Sequence, residues 1–267
     1  MSNNLRASFV DSPVFDTKAT ATLPPWFSYY EFVNLLRKDT VNVIFELGSR
    51  DAIDAIKLAD WFGCVVYAFE CNPDCLVECK KRLTNENHKN VVLVEKAVSL
   101  VDGDVTFYPF DVSKYDNMGA SSLLKIDFSM RDPTDPDYNM ANPQTQITVP
   151  GTRLDTFMED HRIACVDLLC IDLQGYELNA LKSLGEHLHK VKYIMTECSI
   201  QSTYTDGATF TDVATYLADY HFTYVCSNRF GYHTPDPHVT GYSEFDALFV
   251  HTSVSDDLIS PYTHTLS

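Results

Sequence analysis

The chain has 267 residues, 45% of them apolar and 21% charged, a composition that sets aside disordered and collagen-like proteins. Against 20 basic residues stand 37 acidic ones, and a net charge of −17 repels phosphate backbones and anionic lipid headgroups, so nucleic acid is not the expected partner. Residues 1–20 hold no apolar signal core, no apolar run nears the ~18 residues of a membrane span, and the eight cysteines fall mostly in apolar runs. The expectation is a cytoplasmic protein with reduced thiols.

In chain order, Trp26–Lys38 has helical apolar spacing after Pro24-Pro25 and reads as a helix within an N-terminal extension, residues 1–40. Then the rhythm changes. Val43–Leu47, Val65–Phe69 and Val91–Val94 are short apolar runs, separated by the helical patterns Asp51–Phe62 and Asp74–Leu83. That alternation predicts a parallel, doubly wound sheet whose strands are buried on both faces. In the second half, Asp167–Ile171 and Tyr193–Thr196 read as strands, Glu177–Leu184 and Phe210–Tyr220 as helices. Phe222–Cys226 and Phe245–Val250 follow with no helix between them, which predicts an antiparallel hairpin with a long loop. Asp111–Gln146, rich in Asp, Asn and Pro and aperiodic around Arg131–Pro143, reads as a lid or insertion.

Ligands of open α/β sheets bind outside the carboxyl ends of the strands, where chain order reverses. The first such end is Glu46-Leu47-Gly48-Ser49-Arg50-Asp51, with Gly48 allowing a tight turn and close ligand approach. Arg50 and Ile53 stand where a G-x-G-x-x-G cradle needs glycine, which counts against a dinucleotide. The second end is Glu70-Cys71-Asn72-Pro73. Glu70 lies 22 residues after Gly48, the distance at which an acid accepts both ribose hydroxyls. A nucleoside without a pyrophosphate follows, S-adenosylmethionine foremost, with Glu46 placed for its ammonium. Lys96 and Ala97, at the third strand end, fall where an adenine ring would lie.

The run Val166–Glu177, with Ile171-Asp172-Leu173-Gln174-Gly175-Tyr176-Glu177 at its end and Ala180–Leu184 after it, closely resembles the signature of FkbM-type methyltransferases. Arg153–Phe157 upstream and Tyr193–Glu197 downstream resemble the flanking segments of that family. Gln174 departs from it, since many members have Glu there, and so does Ser49-Arg50-Asp51. The resemblance implies a class I, Rossmann-like α/β fold with a seven-stranded, mostly parallel sheet, the methyltransferase domain spanning 41–267. It also implies methyl transfer from S-adenosylmethionine to a hydroxyl of a small molecule, sugar or glycan.

Asp172, ending the fourth strand, is the candidate for orienting or deprotonating the acceptor, with Glu197 at the end of the fifth strand as a second carboxylate; Asp172 is also placed to contact the cofactor. The alternative role for Asp172 is an N-cap of the following helix, and Glu177 is read as supporting that helix start. Ser121 and Ser122 are further candidate cofactor contacts. A divalent metal is not favoured, because Glu197-Cys198-Ser199 lacks a paired Asp-Asp. Nitrogen- or protein-directed methylation, and an inactive nucleoside-binding scaffold, are the other readings.

Three further signals carry less. Cys71, Cys75 and Cys79 resemble a cluster motif but miss its spacing and read as packing. His187 and His189 stand two apart, so on a helix they point to different sides. His233 and His238 lie in the hairpin loop.

Overall fold

A computed structural model describes residues 30–33, 35–84, 88–111, 113, 118–127, 144–227 and 244–257. Its strands are β1 (Val43–Leu47), β2 (Val65–Phe69), β3 (Val91–Val94), β4 (Ala97–Val98), β5 (Gly103–Phe107), β6 (Ile147–Thr152), β7 (Val166–Ile171), β8 (Val191–Ser199), β9 (Phe222–Ser227) and β10 (Glu244–His251). The helices are α1 (Tyr30–Val33), α2 (Ile53–Phe62), α3 (Pro73–Leu83), α4 (Leu154–Asp160), α5 (Glu177–Ser183) and α6 (Phe210–Asp219).

Seven strands form one sheet in the order β3-β2-β1-β7-β8-β10-β9. The first five in that order run parallel, and β10 is antiparallel to both neighbours. The chain moves outward from β1 through β2 to β3, then outward the other way from β7 to β8. Chain order therefore reverses between β1 and β7, and the carboxyl ends of these strands open the crevice that holds the site.

Alternation along β1 sends Phe45 and Leu47 into one core and Ile44 into the other. The first core also takes Phe157 of α4, Leu181 of α5 and Leu217 of α6; the second takes Ala55 and Leu58 of α2. Glu46, between Phe45 and Leu47, faces the α2 side. All six residues of β7 are buried, as expected of a central parallel strand. Its one charged member, Asp167, accepts hydrogen bonds from Asn42 N (2.8 Å) and Val43 N (3.0 Å) and pairs with Lys192 Nζ (2.6 Å).

Several expectations need correction. Within Trp26–Lys38 the α-helical part of the described residues is Tyr30–Val33; Trp26–Tyr29 lie outside them. The chain then turns and is extended at Arg37, so that Leu35 and Leu36 drop into the core beside Ile44. Phe32 and Val33 join the same core, so this end of the 1–40 segment packs as part of the main domain. Helix α2 begins at Ile53, two residues late, because Arg50 (φ 54°) and Ala52 (φ 63°) hold left-handed backbone.

Strand β8 runs on through Glu197, which is internal to it and opposite Asp246 of β10, rather than at its end. The two terminal strands do pair antiparallel, with β10 inserted between β8 and β9. A second sheet, β4-β6-β5, and helix α4 were not anticipated. Of the 111–146 insertion, residues 118–127 pack against the main domain; Arg131–Pro143 lie outside the described residues. So do His233 and His238.

Candidate functional site

At the reversal point lies an open cleft of about 920 Å³. Every residue named above as a cofactor contact lines it, from Glu46 and Ser49 through Glu70 and Lys96 to Ser121 and Asp172. Val98, in the strand end read as the adenine position, lines it too, whereas sequence reasoning missed Asp54, Phe107, Leu123, Leu173 and Tyr176. Asp54 carried a signal, as an acid in the first turn of the helix after Gly48; the others face the cleft through tertiary packing. The lining holds five acids (Glu46, Asp51, Asp54, Glu70, Asp172) against Arg50 and Lys96. Such a field favours a ligand that carries positive charge.

Gly48 has φ +88°, and a Cβ there would lie 1.9 Å from the Asp172 carbonyl oxygen. The close approach that requires glycine is thus to the β7 backbone, where Asp172 N also donates to Leu47 O at 3.0 Å. Gly48 welds the ends of β1 and β7 at the floor of the cleft.

Glu46 is 2% exposed. Burial, helped by the charges of Asp54, Glu70 and Asp51, pushes its carboxyl up to about 8. The Ser49 hydroxyl lies close enough to offset part of this, yet neither Glu46 Oε2 nor Ser49 Oγ completes a hydrogen bond. A buried polar atom without a partner is costly and marks a place where a donor is missing.

Glu70 differs. Its Oε2 accepts from Arg50 N (2.8 Å), and its Oε1 accepts from Cys71 N and Asn72 N (both 2.7 Å). The carboxylate therefore organises the two loops that form the cleft mouth, and of its roughly four acceptor sites only one, on Oε2, is left for a ligand. Burial raises it above the ordinary carboxylate range, against those three N–H groups. Asn72 caps α3 by accepting from Asp74 N (3.2 Å) and donates through Nδ2 to Ser121 Oγ (3.3 Å). Asp51 accepts from Ile53 N and pairs with Arg82 at 3.2 Å. Cys75 and Cys79 are buried on α3, and burial raises the thiols of Cys71, Cys75 and Cys79, so all three are inert packing.

Asp172 does not cap α5. The N-cap position is Tyr176, with no side-chain cap bond. Instead Gln174 Nε2 donates to Asp172 Oδ1 (2.8 Å) and to Glu197 Oε2 (2.6 Å). The two carboxyls also lie within hydrogen-bonding reach of each other. Loss of water raises Asp172, opposed by Gln174, by Glu197 and by the Arg50 charge. Glu197 is raised well above its ordinary value, by burial and then by Asp172, Glu244, Glu177 and Asp246. Two carboxyls bridged by one amide resist carrying two negative charges, which favours a state with one proton between them.

Glu197 faces a second, smaller cavity of about 250 Å³, lined also by Gln174, Glu177, Ser199, Ser202, Thr203, Tyr204 and Glu244. Glu177 accepts from Leu173 N and Gly175 N and is pushed up to about 7 by burial. The 118–127 segment packs against this region: Ser122 Oγ donates towards Gln174 O (2.9 Å) and Leu173 O (3.2 Å). Tyr204, unread in the sequence, places its hydroxyl 2.8 Å from Ala120 O and 3.0 Å from Gln174 Oε1. Among the described residues no group of three or more His, Cys, Asp or Glu is arranged to hold a metal ion, and no helix is long and apolar enough to cross a membrane.

Comparison with known proteins places this arrangement. Similar to the chain is the 2-O-methyltransferase NoeI of Sinorhizobium fredii (strain NBRC 101917 / NGR234), 26% identical over 179 residues, which are 65% of this chain and 70% of that protein. Among solved structures, the precorrin-6y C5,15-methyltransferase of Geobacter metallireducens GS-15 is 13% identical, with 86% of this chain and 92% of that one covered and a TM-score of 0.42. A fibrillarin of Aeropyrum pernix, solved with natively bound S-adenosyl-L-methionine, is 11% identical, covering 79% and 66% of the two chains with a TM-score of 0.43. The model of the methyltransferase FkbM domain matches residues 42–224, most of the chain, and the protein is therefore a methyltransferase of the FkbM family.

Proposed function

We propose that this enzyme transfers a methyl group from S-adenosylmethionine to a hydroxyl of a sugar or other small hydroxylated acceptor. The observation that carries the reading is the Asp172–Glu197 pair, which lines the main cleft at one end and the second cavity at the other. A proton-accepting group thus stands at the inner end of the cleft, where an acceptor hydroxyl can meet a bound nucleoside.

The residues present fit the cofactor. Glu46 offers a buried oxygen that lacks a donor, suited to an ammonium, and Ser49 a free hydroxyl beside it. The remaining lone pair on Glu70 Oε2 suits one hydroxyl of a ribose. Ala97, Val98 and Phe107 give the cleft an apolar wall for an adenine ring. When bound, S-adenosylmethionine supplies an electrophilic methyl on a sulfonium. The chain's own part is to hold an acceptor hydroxyl in line and to take its proton on the carboxyl pair. The 2-O-methyltransferase named among the relatives supports oxygen as the acceptor atom.

Methyl-labelled S-adenosylmethionine incubated with extracted glycans, glycolipids and small hydroxylated metabolites tests this. Label entering hydroxylated acceptors, and lost with Asp172→Asn, is the expected result. Label entering amines or proteins alone, or cofactor binding without turnover on any acceptor, would replace it. Activity abolished by chelation and restored by Mg²⁺ would make the two acids metal ligands.

A further inference from the structure

Gln174 bridges the end of β7 to β8, and its surroundings explain what an amide does there. The residue holds φ 54° and is followed by Gly175 at φ 93°, two left-handed steps in succession. A Cβ on Gly175 would meet Tyr204 Cβ at 3.0 Å, so the loop and the tyrosine are packed against each other. This fold-back sets the Gln174 side chain between the end of β7 and the side of β8.

There the amide has three partners, and their chemistry fixes its direction. Asp172 and Glu197 are acceptors when ionised, so the NH₂ must face them, and its two hydrogens serve one each at 2.8 and 2.6 Å. The other end, Oε1, is an acceptor 3.0 Å from the Tyr204 hydroxyl. That hydroxyl has one proton, offered to two acceptors, Gln174 Oε1 and Ala120 O. Were the amide reversed, its oxygen would face two carboxyls and both N–H bonds to them would be lost. The carboxyls thus set the direction of the amide, and the Tyr204 hydroxyl anchors its oxygen.

We propose that Gln174 and Tyr204 are positioning residues, the tyrosine anchoring the amide oxygen and the amide clamping Asp172 and Glu197 into one proton-sharing pair. The proposal rests on the reading of that pair as the proton acceptor, and it adds the device that keeps the pair anionic. Glutamate at position 174 would bring a further carboxyl to within the same contact distances. The neutral amide supplies two N–H donors and no charge, which favours the state with one proton on the pair and one negative charge. It also reaches the insertion: Ala120, held by the same tyrosine, precedes Ser121 and Ser122 at the cleft mouth.

The charges facing the pair come from every side. Arg50 comes from the β1–α2 loop, Glu70 from the end of β2 and Glu177 from α5; Glu244 and Asp246 come from β10. Arg50 is the one cation among them, so the two amide hydrogens are a large share of what favours the anionic state.

The test is a carbon-13 NMR titration of the full chain, labelled at Asp and Glu carboxyls. The resonances of the pair are assigned by their loss in Asp172→Asn and Glu197→Gln. Wild-type protein should lose its two protons in well-separated steps. In Gln174→Glu, isosteric with the native residue, the upper step should move up by about one pH unit or more. Tyr204→Phe, which removes the hydroxyl that anchors the amide oxygen and so loosens the clamp, should move it in the same direction by less. Calorimetry with S-adenosylhomocysteine serves as the check on folding: both variants should still bind it, since neither side chain itself lines the main cleft. If one variant fails to fold, the other still decides. Titration curves of a folded variant that superimpose on wild type overturn the proposal and leave Gln174 as packing. The base reading is tested apart from this: a fully active Asp172→Asn protein sinks it whatever the titration shows.

Discussion

Glu46 gives a prediction whose size follows from its burial. The rise from 4.5 to about 8 corresponds to roughly 5 kcal/mol of preference for the protonated form. In the ligand-free fold Glu46 therefore keeps its proton at pH 7, whereas the unfolded chain releases it. The stability associated with this group is fully present below pH 4.5 and is lost as pH rises through about 8. Glu46→Gln should thus match the wild type in melting temperature near pH 4.5 and exceed it at pH 8.5. Binding reverses the preference. An ammonium set against the unpartnered Oε2 favours the carboxylate, so S-adenosylhomocysteine must expel the proton to bind. At pH 6.5 titration calorimetry in buffers of different ionisation enthalpy should register release of close to one proton per site. Affinity should fall about tenfold for each pH unit below 8, and in Glu46→Gln both effects should vanish. Equal proton release by the two proteins would refute an ammonium contact at Glu46.

Other perturbations test the remaining parts of the site. Gly48→Ala should cost several kcal/mol in denaturant unfolding, because its Cβ falls 1.9 Å from the Asp172 carbonyl at φ +88°; a loss under about 1 kcal/mol, the ordinary cost of such a change, would show that β1 and β7 separate easily. Glu70→Ala removes the acceptor of three backbone N–H groups, so cofactor affinity should drop about tenfold or more and stability should fall as well. An unchanged affinity in folded protein would remove it from the site. Asp172→Asn should lower turnover by about 10²–10⁴ while calorimetric cofactor affinity changes far less, and equal losses in both would make it a binding residue. Hydrogen exchange across 118–127 should slow when S-adenosylhomocysteine is added, since Ser121, Ser122 and Leu123 line the cleft; unchanged exchange would leave that segment a bystander.

The parts of this molecule that were legible in its sequence are those where one physical rule acts alone. β1, β2 and β3 run between the residues expected, because parallel strands buried on both faces are plain apolar runs. The cleft residues were legible for a related reason: the reversal point is set by chain order, and the residues at the strand ends must line it. Where rules compete, the reading failed. β8 was read as Tyr193–Thr196 but continues to Ser199, since Glu197 and Ser199 face the second cavity and break the apolar pattern. β6 contains Pro150-Gly151, which reads as a break in any strand. The direction of hydrogen bonds was out of reach as well. That Glu70 is largely taken up by backbone N–H groups, and that Tyr204 meets Gln174 across 30 residues, are facts of tertiary packing.

The place of β10 bears on how this chain is made. Strand β8 is buried along most of its length, and its outer neighbour is the last strand of the sheet to be synthesised. Until residue 251 has left the ribosome, β8 presents an open apolar edge, and β9, already made, must leave room for β10 between them. The sheet can close only after translation has passed the 228–243 segment, so the nascent chain is exposed to edge-to-edge association until then. The matched family region stops at residue 224, short of this strand. An expression fragment cut at that boundary would keep the cleft residues yet carry the open edge permanently, and it should aggregate where the full chain does not.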